Sequence, residues 1–135
     1  MFIRVTPASG VPIYRQILDQ IRGQIARRLL APGDRLPSVR ELAQTLAANQ
    51  NTILKVYDQL AAEGLVERRQ GDGTFVSDNG LALKRSECRK RLRETLSQAA
   101  VQARLFDIPP DETHSLLERE IESIDKDRAR AVGGG

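Results

Sequence analysis

Residues 38–64 read SVRELAQTLAANQNTILKVYDQLAAEG, and their spacing decides the fold. Ser38 followed three residues later by Glu41 is a capping box, in which each side chain accepts a hydrogen bond from the other residue's free backbone amide. Val39, Leu42, Ala43 and Leu46 then fall on one face of a helix of about ten residues. Ala47-Ala48-Asn49 reads as a tight turn, after which Asn49 or Asn51 can cap a second helix. Along that helix Ile53, Val56, Tyr57 and Leu60 share one side. Gly64 stands just past its end, where left-handed backbone closes helices.

Downstream, the extended runs Leu65-Val66-Glu67-Arg68-Arg69 and Thr74-Phe75-Val76-Ser77 flank the polar loop Gln70-Gly71-Asp72-Gly73, which is the pattern of a hairpin. Upstream, Pro12 suits a first helical turn. Ile13, Ile17, Ile21 and Ile25 recur every fourth residue, with Leu18 and Leu29 widening the stripe. Ala31-Pro32-Gly33-Asp34 stops that helix, and Pro37 leaves room only for a short extended piece at Arg35-Leu36-Pro37. The expected order is helix, short strand, helix, turn, helix, strand, loop, strand. This is a mainly α fold with a small β-hairpin wing: a winged helix-turn-helix over residues 1–78.

After the polar linker Ser77-Asp78-Asn79-Gly80 the pattern changes. Residues 81–106 contain neither Gly nor Pro and repeat Leu92, Leu96, Ala99, Ala103 and Phe106, which predicts one long helix. Pro109-Pro110 breaks it, and a second helix from about Asp111 carries Leu116, Leu117, Ile121 and Ile124. Two helices with one narrow apolar seam cannot build much core alone. Residues 79–135 are therefore expected to be a dimerisation segment that pairs two copies of the chain through Leu92, Leu96, Ala99, Ala103, Leu116, Leu117, Ile121 and Ile124. Gly133-Gly134-Gly135 reads as a frayed end.

A chain of 135 residues, 40% hydrophobic and 29% charged, is an ordinary globular domain with an appendage. The net charge is +3, yet residues 84–93 carry a local +5 and residues 107–127 a local −6. The basic stretch can be a solvated helix face, can pair with the acidic segment within or between subunits, or can add charge toward DNA just after the wing. One cysteine, Cys88, excludes a disulfide framework, and one histidine, His114, excludes the two-histidine zinc motifs. No apolar run reaches a membrane span of about 18 residues, and Met1-Phe2-Ile3-Arg4 lacks the apolar core of a signal peptide. The expectation is a cytoplasmic protein without metal or cofactor. No nucleophile–base–acid set or phosphate loop is present, and Glu41 is explained as a cap, so an enzyme is not expected.

The winged arrangement suits double-stranded DNA. The second helix of the motif can lie in a major groove, with its first residues at base edges. Those residues are Asn49, Gln50, Asn51 and Thr52. Asn and Gln offer adenine a paired donor and acceptor, and Thr can bond base or phosphate. Lys55, one turn on, is placed for a phosphate. In the hairpin Arg68 and Arg69 lie beside Gly71 and Gly73, where missing side chains let backbones approach closely.

Pro12-Ile13-Tyr14-Arg15-Gln16-Ile17, Leu30-Ala31-Pro32-Gly33-Asp34-Arg35-Leu36-Pro37-Ser38-Val39-Arg40-Glu41-Leu42-Ala43, Glu63-Gly64-Leu65-Val66 and Gly71-Asp72-Gly73-Thr74-Phe75-Val76 together resemble the DNA-binding domain of the GntR family of bacterial transcription regulators. The short helical tail resembles the YtrA subfamily. The resemblance implies a regulator, more often a repressor, that binds a two-fold-symmetric operator as a homodimer. It implies that Arg40 contacts DNA from the motif's first helix, with Ser38 beside it. Asn49 to Thr52 would form the reading surface, Gly73 would approach the minor groove, and Arg35 would sit near the DNA backbone. Gln50 departs from the proline that the subfamily often carries there. The alternative is a winged-helix module that docks another protein instead of operator DNA. The small tail leaves a small-molecule effector room only at the dimer seam or between the domains.

Overall fold

A computed structural model describes residues 1–78 and 84–133. The chain divides into two compact units, Met1–Ala82 and Leu83–Gly135. Unit one holds a short 3-10 turn at Pro7–Ser9, then α1 (Ile13–Ala26), α2 (Val39–Leu46), α3 (Gln50–Ala62), β1 (Val66–Arg69) and β2 (Gly73–Val76); unit two holds α4 (Arg85–Leu105) and α5 (Pro110–Gly133). The fold is mainly helical, with a two-stranded antiparallel wing after the helix-turn-helix and two helices beyond it.

The capping box forms as written: the Glu41 amide donates to Ser38 Oγ at 3.0 Å and the Ser38 amide to Glu41 Oε2 at 3.3 Å. The helix it starts has 8 residues and ends at Ala47, whose φ of 52° is left-handed. Ala47-Ala48-Asn49 is indeed the turn. Asn49, rather than Asn51, caps α3, its Oδ1 accepting the Asn51 amide at 2.8 Å.

The core of unit one lies between α1, α2 and α3, and the wing closes it. Ile17 and Ile21 of α1, Leu42 and Ala43 of α2, and Ile53, Val56, Tyr57 and Leu60 of α3 are buried together with Leu36, Val66 and Val76. Tyr57 is fully buried, and its hydroxyl donates to the Pro37 carbonyl at 2.6 Å. Burial, with Glu41 nearby, pushes this phenol well above its usual pKa, so it remains a neutral donor at any physiological pH. Arg22 of α1 makes a two-pronged pair with Glu63 just past α3, its Nε at 2.8 Å from Oε1. That pair raises the guanidinium further above its usual range.

The amino-terminal segment is fastened by glutamines at four-residue spacing on α1. Gln16 bonds the backbone of Thr6, Gln20 that of Arg4 and Gln24 that of Phe2. These amides act as a strand edge would, satisfying alternate backbone groups while Ile3 and Val5 turn toward the core.

Several boundaries differ from the sequence reading: β1 begins at Val66, β2 runs Gly73–Val76 with Gly73 in the strand, and α4 ends at Leu105. α1 ends at Ala26, because Arg28 takes a left-handed φ of 62°; Leu29 is consequently 63% exposed, and Leu30 takes the buried place expected of it. The short strand at 35–37 is a single bridge, Arg35 to Phe75. Lys84 is extended and α4 begins at Arg85, one turn later than the expected start; residues 81–83, the linker's Asn79 and Gly80, and Gly134-Gly135 lie outside the described residues. Finally, Pro110 itself begins α5, its missing amide costing nothing in a first turn.

In unit two no residue of α4 is buried, and Leu92, Leu96, Leu116, Leu117 and Ile121 are 40–59% exposed. Ala99 is exposed, while Ala103 and Ile124 are half-buried. In the basic stretch, Arg91 pairs with Glu87 at 3.5 Å within α4 itself.

Replacing Tyr57 with Phe keeps the packing and removes the bond to Pro37. Urea denaturation should show a loss of about 1–3 kcal/mol, the cost of stranding a buried partner. An unchanged midpoint would mean that water replaces the phenol.

Candidate nucleic-acid interface

The candidate surface is assembled from α2, α3 and the wing. The buried stripe of α3 fixes its rotation, and so turns Gln50, Asn51, Leu54, Lys55 and Asp58 outward. Asn49 is exposed at the cap and Thr52 is half-buried. Asn49 already spends one oxygen on the Asn51 amide, which leaves its side-chain NH2 free to donate. Arg40, in the first turn of α2, is also exposed. Ser38 is committed to capping and half-buried.

β1 pairs with β2 in the register Val66–Val76, Glu67–Phe75, Arg68–Thr74 and Arg69–Gly73. The wing is tied to the rest of the domain by backbone bonds: Leu36 N to Thr74 O and Val76 N to Asp34 O, both 2.8 Å, and Gly33 N to Val76 O at 2.9 Å. These bonds carry Arg35 to the wing. A Cβ placed on Gly73 would lie 2.9 Å from Arg35 Nε, and Gly73 has a φ of 121°, so glycine here seats the arginine. Gly71 caps the loop with a φ of 84° and is exposed. The sequence reading treated Arg35 and Gly73 as separate contacts, whereas their surfaces touch.

The two wing arginines have partners inside the domain. Arg68 Nη1 stands 2.7 Å from Asp58 Oδ1 of α3, and its Nη2 is 3.5 Å from the Leu54 carbonyl oxygen. Arg69 lies over the Phe75 ring at 4.3 Å and pairs with Asp78 at 3.5 Å and Glu67 at 3.7 Å. Among the described residues Arg35, Arg40 and Lys55 form no ion pair. On this surface the cations that face solvent without a carboxylate are Arg40 of α2, Lys55 of α3 and Arg35 beside Gly73. Sequence reasoning missed Asp58, Glu67 and Asp78 as partners. Only the Glu67–Arg69 pair has a local signal, the i, i+2 alternation that puts both on one strand face.

Among the described residues no group of three His, Cys, Asp or Glu could hold a metal ion, and no helix is long and apolar enough to cross a membrane.

The family model for bacterial regulatory proteins of the gntR family matches residues 13–76. The HTH-type transcriptional repressor YtrA of Bacillus subtilis is 35% identical over 115 residues, which is 85% of this chain and 88% of that protein. Among solved structures, a protein from Listeria monocytogenes described as a transcriptional antiterminator superposes with a TM-score of 0.80 at 25% identity, covering 92% of each chain. YtrA from Sulfolobus acidocaldarius, a GntR-family transcription factor, gives a TM-score of 0.62 at 32% identity over 91% of this chain and 99% of that one.

Gly73→Ala should lower stability by about 1–3 kcal/mol through its disfavoured backbone and weaken duplex binding by displacing Arg35. Thermal unfolding and a band-shift titration measure the two effects; wild-type values in both would show that Arg35 gives way freely. The matched motif, the length of the YtrA likeness and the helix-turn-helix with its wing place this chain in the GntR family of DNA-binding transcriptional regulators.

Proposed function

We propose that the chain works in the cytoplasm as a homodimeric repressor of a two-fold-symmetric operator. The support for DNA contact through this surface is its chemistry: amides and a hydroxyl at the start of α3, with unpaired cations at Arg40, Lys55 and Arg35 around them. Phosphate contacts by these three supply most of the affinity and its salt dependence. Asn49, Gln50, Asn51 and Thr52 select sequence, each good paired contact discriminating by about 1–3 kcal/mol. Arg68 and Arg69 join the phosphate contacts only by exchanging their carboxylates. Ser38 acts mainly through the cap that aims Arg40, and Gly71 and Gly73 keep the wing slim enough to approach a groove.

Pairing through α4 and α5 is supported by their exposed aliphatic side chains, Leu92, Leu96, Leu116, Leu117 and Ile121. With Ala99, Ala103 and Ile124 they form a seam that water would otherwise cover at a cost of about 25 cal/mol per Å² of apolar surface. A dimer doubles the DNA contacts and fixes the half-site spacing. Repression follows from occupancy of the operator, and the likeness to a Bacillus subtilis repressor supports that sign. A small-molecule effector that widened the tail seam would change the half-site distance and release DNA.

Arg40→Ala should weaken binding to operator and random duplex alike and flatten the plot of log K against log salt by about 0.9. An unchanged slope would take Arg40 off the phosphates. Leu96→Asp combined with Leu117→Asp should sediment as a monomer; a variant that stays dimeric places the interface elsewhere.

A further inference from the structure

We propose that Asp58 holds Arg68 in reserve, so that the wing's cation reaches a phosphate only by leaving this carboxylate. Asp58 thereby sets the ratio of operator binding to random-DNA binding. The inference rests on the DNA-binding reading of this surface and adds a regulating residue to it.

Asp58 is the one acid in α3, whose sequence is QNTILKVYDQLAA. It continues the exposed line of Gln50 and Leu54 at four-residue steps, about 12 Å along the axis from Gln50. A free carboxylate on that line would repel the phosphates that Lys55, three residues earlier, attracts. Instead it meets Arg68 of β1 at 2.7 Å, and the second guanidinium nitrogen reaches back to the Leu54 carbonyl. The pair crosses from wing to helix, so it also fixes the wing's angle to α3. Its members are 38% and 58% exposed, open enough to water that a phosphate can compete for the arginine. Arg69 is held more firmly, by a ring face and two carboxylates. Of the two wing cations, Arg68 is the more readily exchanged.

The consequence is selective. On random DNA the reading surface finds few matching bases, so the complex is loosely seated and Arg68 stays on Asp58. On an operator the base contacts seat α3, and a phosphate within reach displaces the carboxylate. Removing the carboxylate frees the cation everywhere, which helps random DNA most.

The test is a salt titration of wild type, Asp58→Asn, Arg68→Gln and the double variant against a random-sequence duplex and a selected site. Asp58→Asn should tighten random-duplex binding about three- to tenfold and steepen the salt slope by about 0.9, one phosphate's worth. The operator preference should fall, and the substitution should have no such effect in the Arg68→Gln background. Asp58→Ser serves as a second variant should the first unfold. Unchanged random-duplex affinity in the Asp58 variant overturns the inference. So does an equal gain with Arg68 absent, because the effect is then one of net charge. Wild type failing to bind any duplex overturns the DNA reading itself.

Discussion

The placement of α3 depends on one buried phenol. Tyr57 fills the centre of the first unit's core with its ring and satisfies the Pro37 carbonyl with its hydroxyl. That bond joins the middle of α3 to the turn that precedes α2, and the Ser38–Glu41 cap begins at the next residue. The angle between the two helices is thus set by a buried bond within an apolar contact, where rotation would strand a polar group. Everything at the surface inherits this: the outward face of α3, the exposure of Arg40, and the strand-like run from Gly33 to Leu36 that seats the wing.

The surface built on that frame is economical in charge. Among the described residues of the candidate surface, Arg35, Arg40 and Lys55 face solvent without a carboxylate. The wing's arginines are balanced by Asp58, Glu67 and Asp78. A domain carrying five such cations unbalanced would bind any polyanion. Balanced, the wing carries less unpaired charge.

The helices and the wing were legible in the sequence because their signals are local. A capping box, a four-residue isoleucine repeat and a glycine-bearing loop each act within a few residues of themselves. The misread boundaries came from competition that those rules do not contain. Arg28 turned left-handed so that Leu30 could be buried, which cut α1 short before Leu29. The glutamines of α1 read as solvent-facing, yet their amides fasten a distant backbone segment. The outward face of α3 was likewise legible, since a helix with one buried stripe exposes the rest. The Arg68–Asp58 and Arg35–Gly73 contacts were not, because each joins segments whose proximity only the folded chain decides. The tail shows the same rule from the other side: its seam was visible as periodicity, and within one chain that seam lies open to water.

The central claim is that two joined copies of the chain present two copies of the Asn49–Lys55 surface to one duplex. Repeated selection of duplexes from a random-sequence pool by the purified full-length protein tests it most directly. The account predicts enrichment of an inverted repeat whose half-sites are centred about one helical turn, or a whole multiple of it, apart. Recovery of lone, asymmetric half-sites, or no enrichment even in dilute buffer, would contradict it.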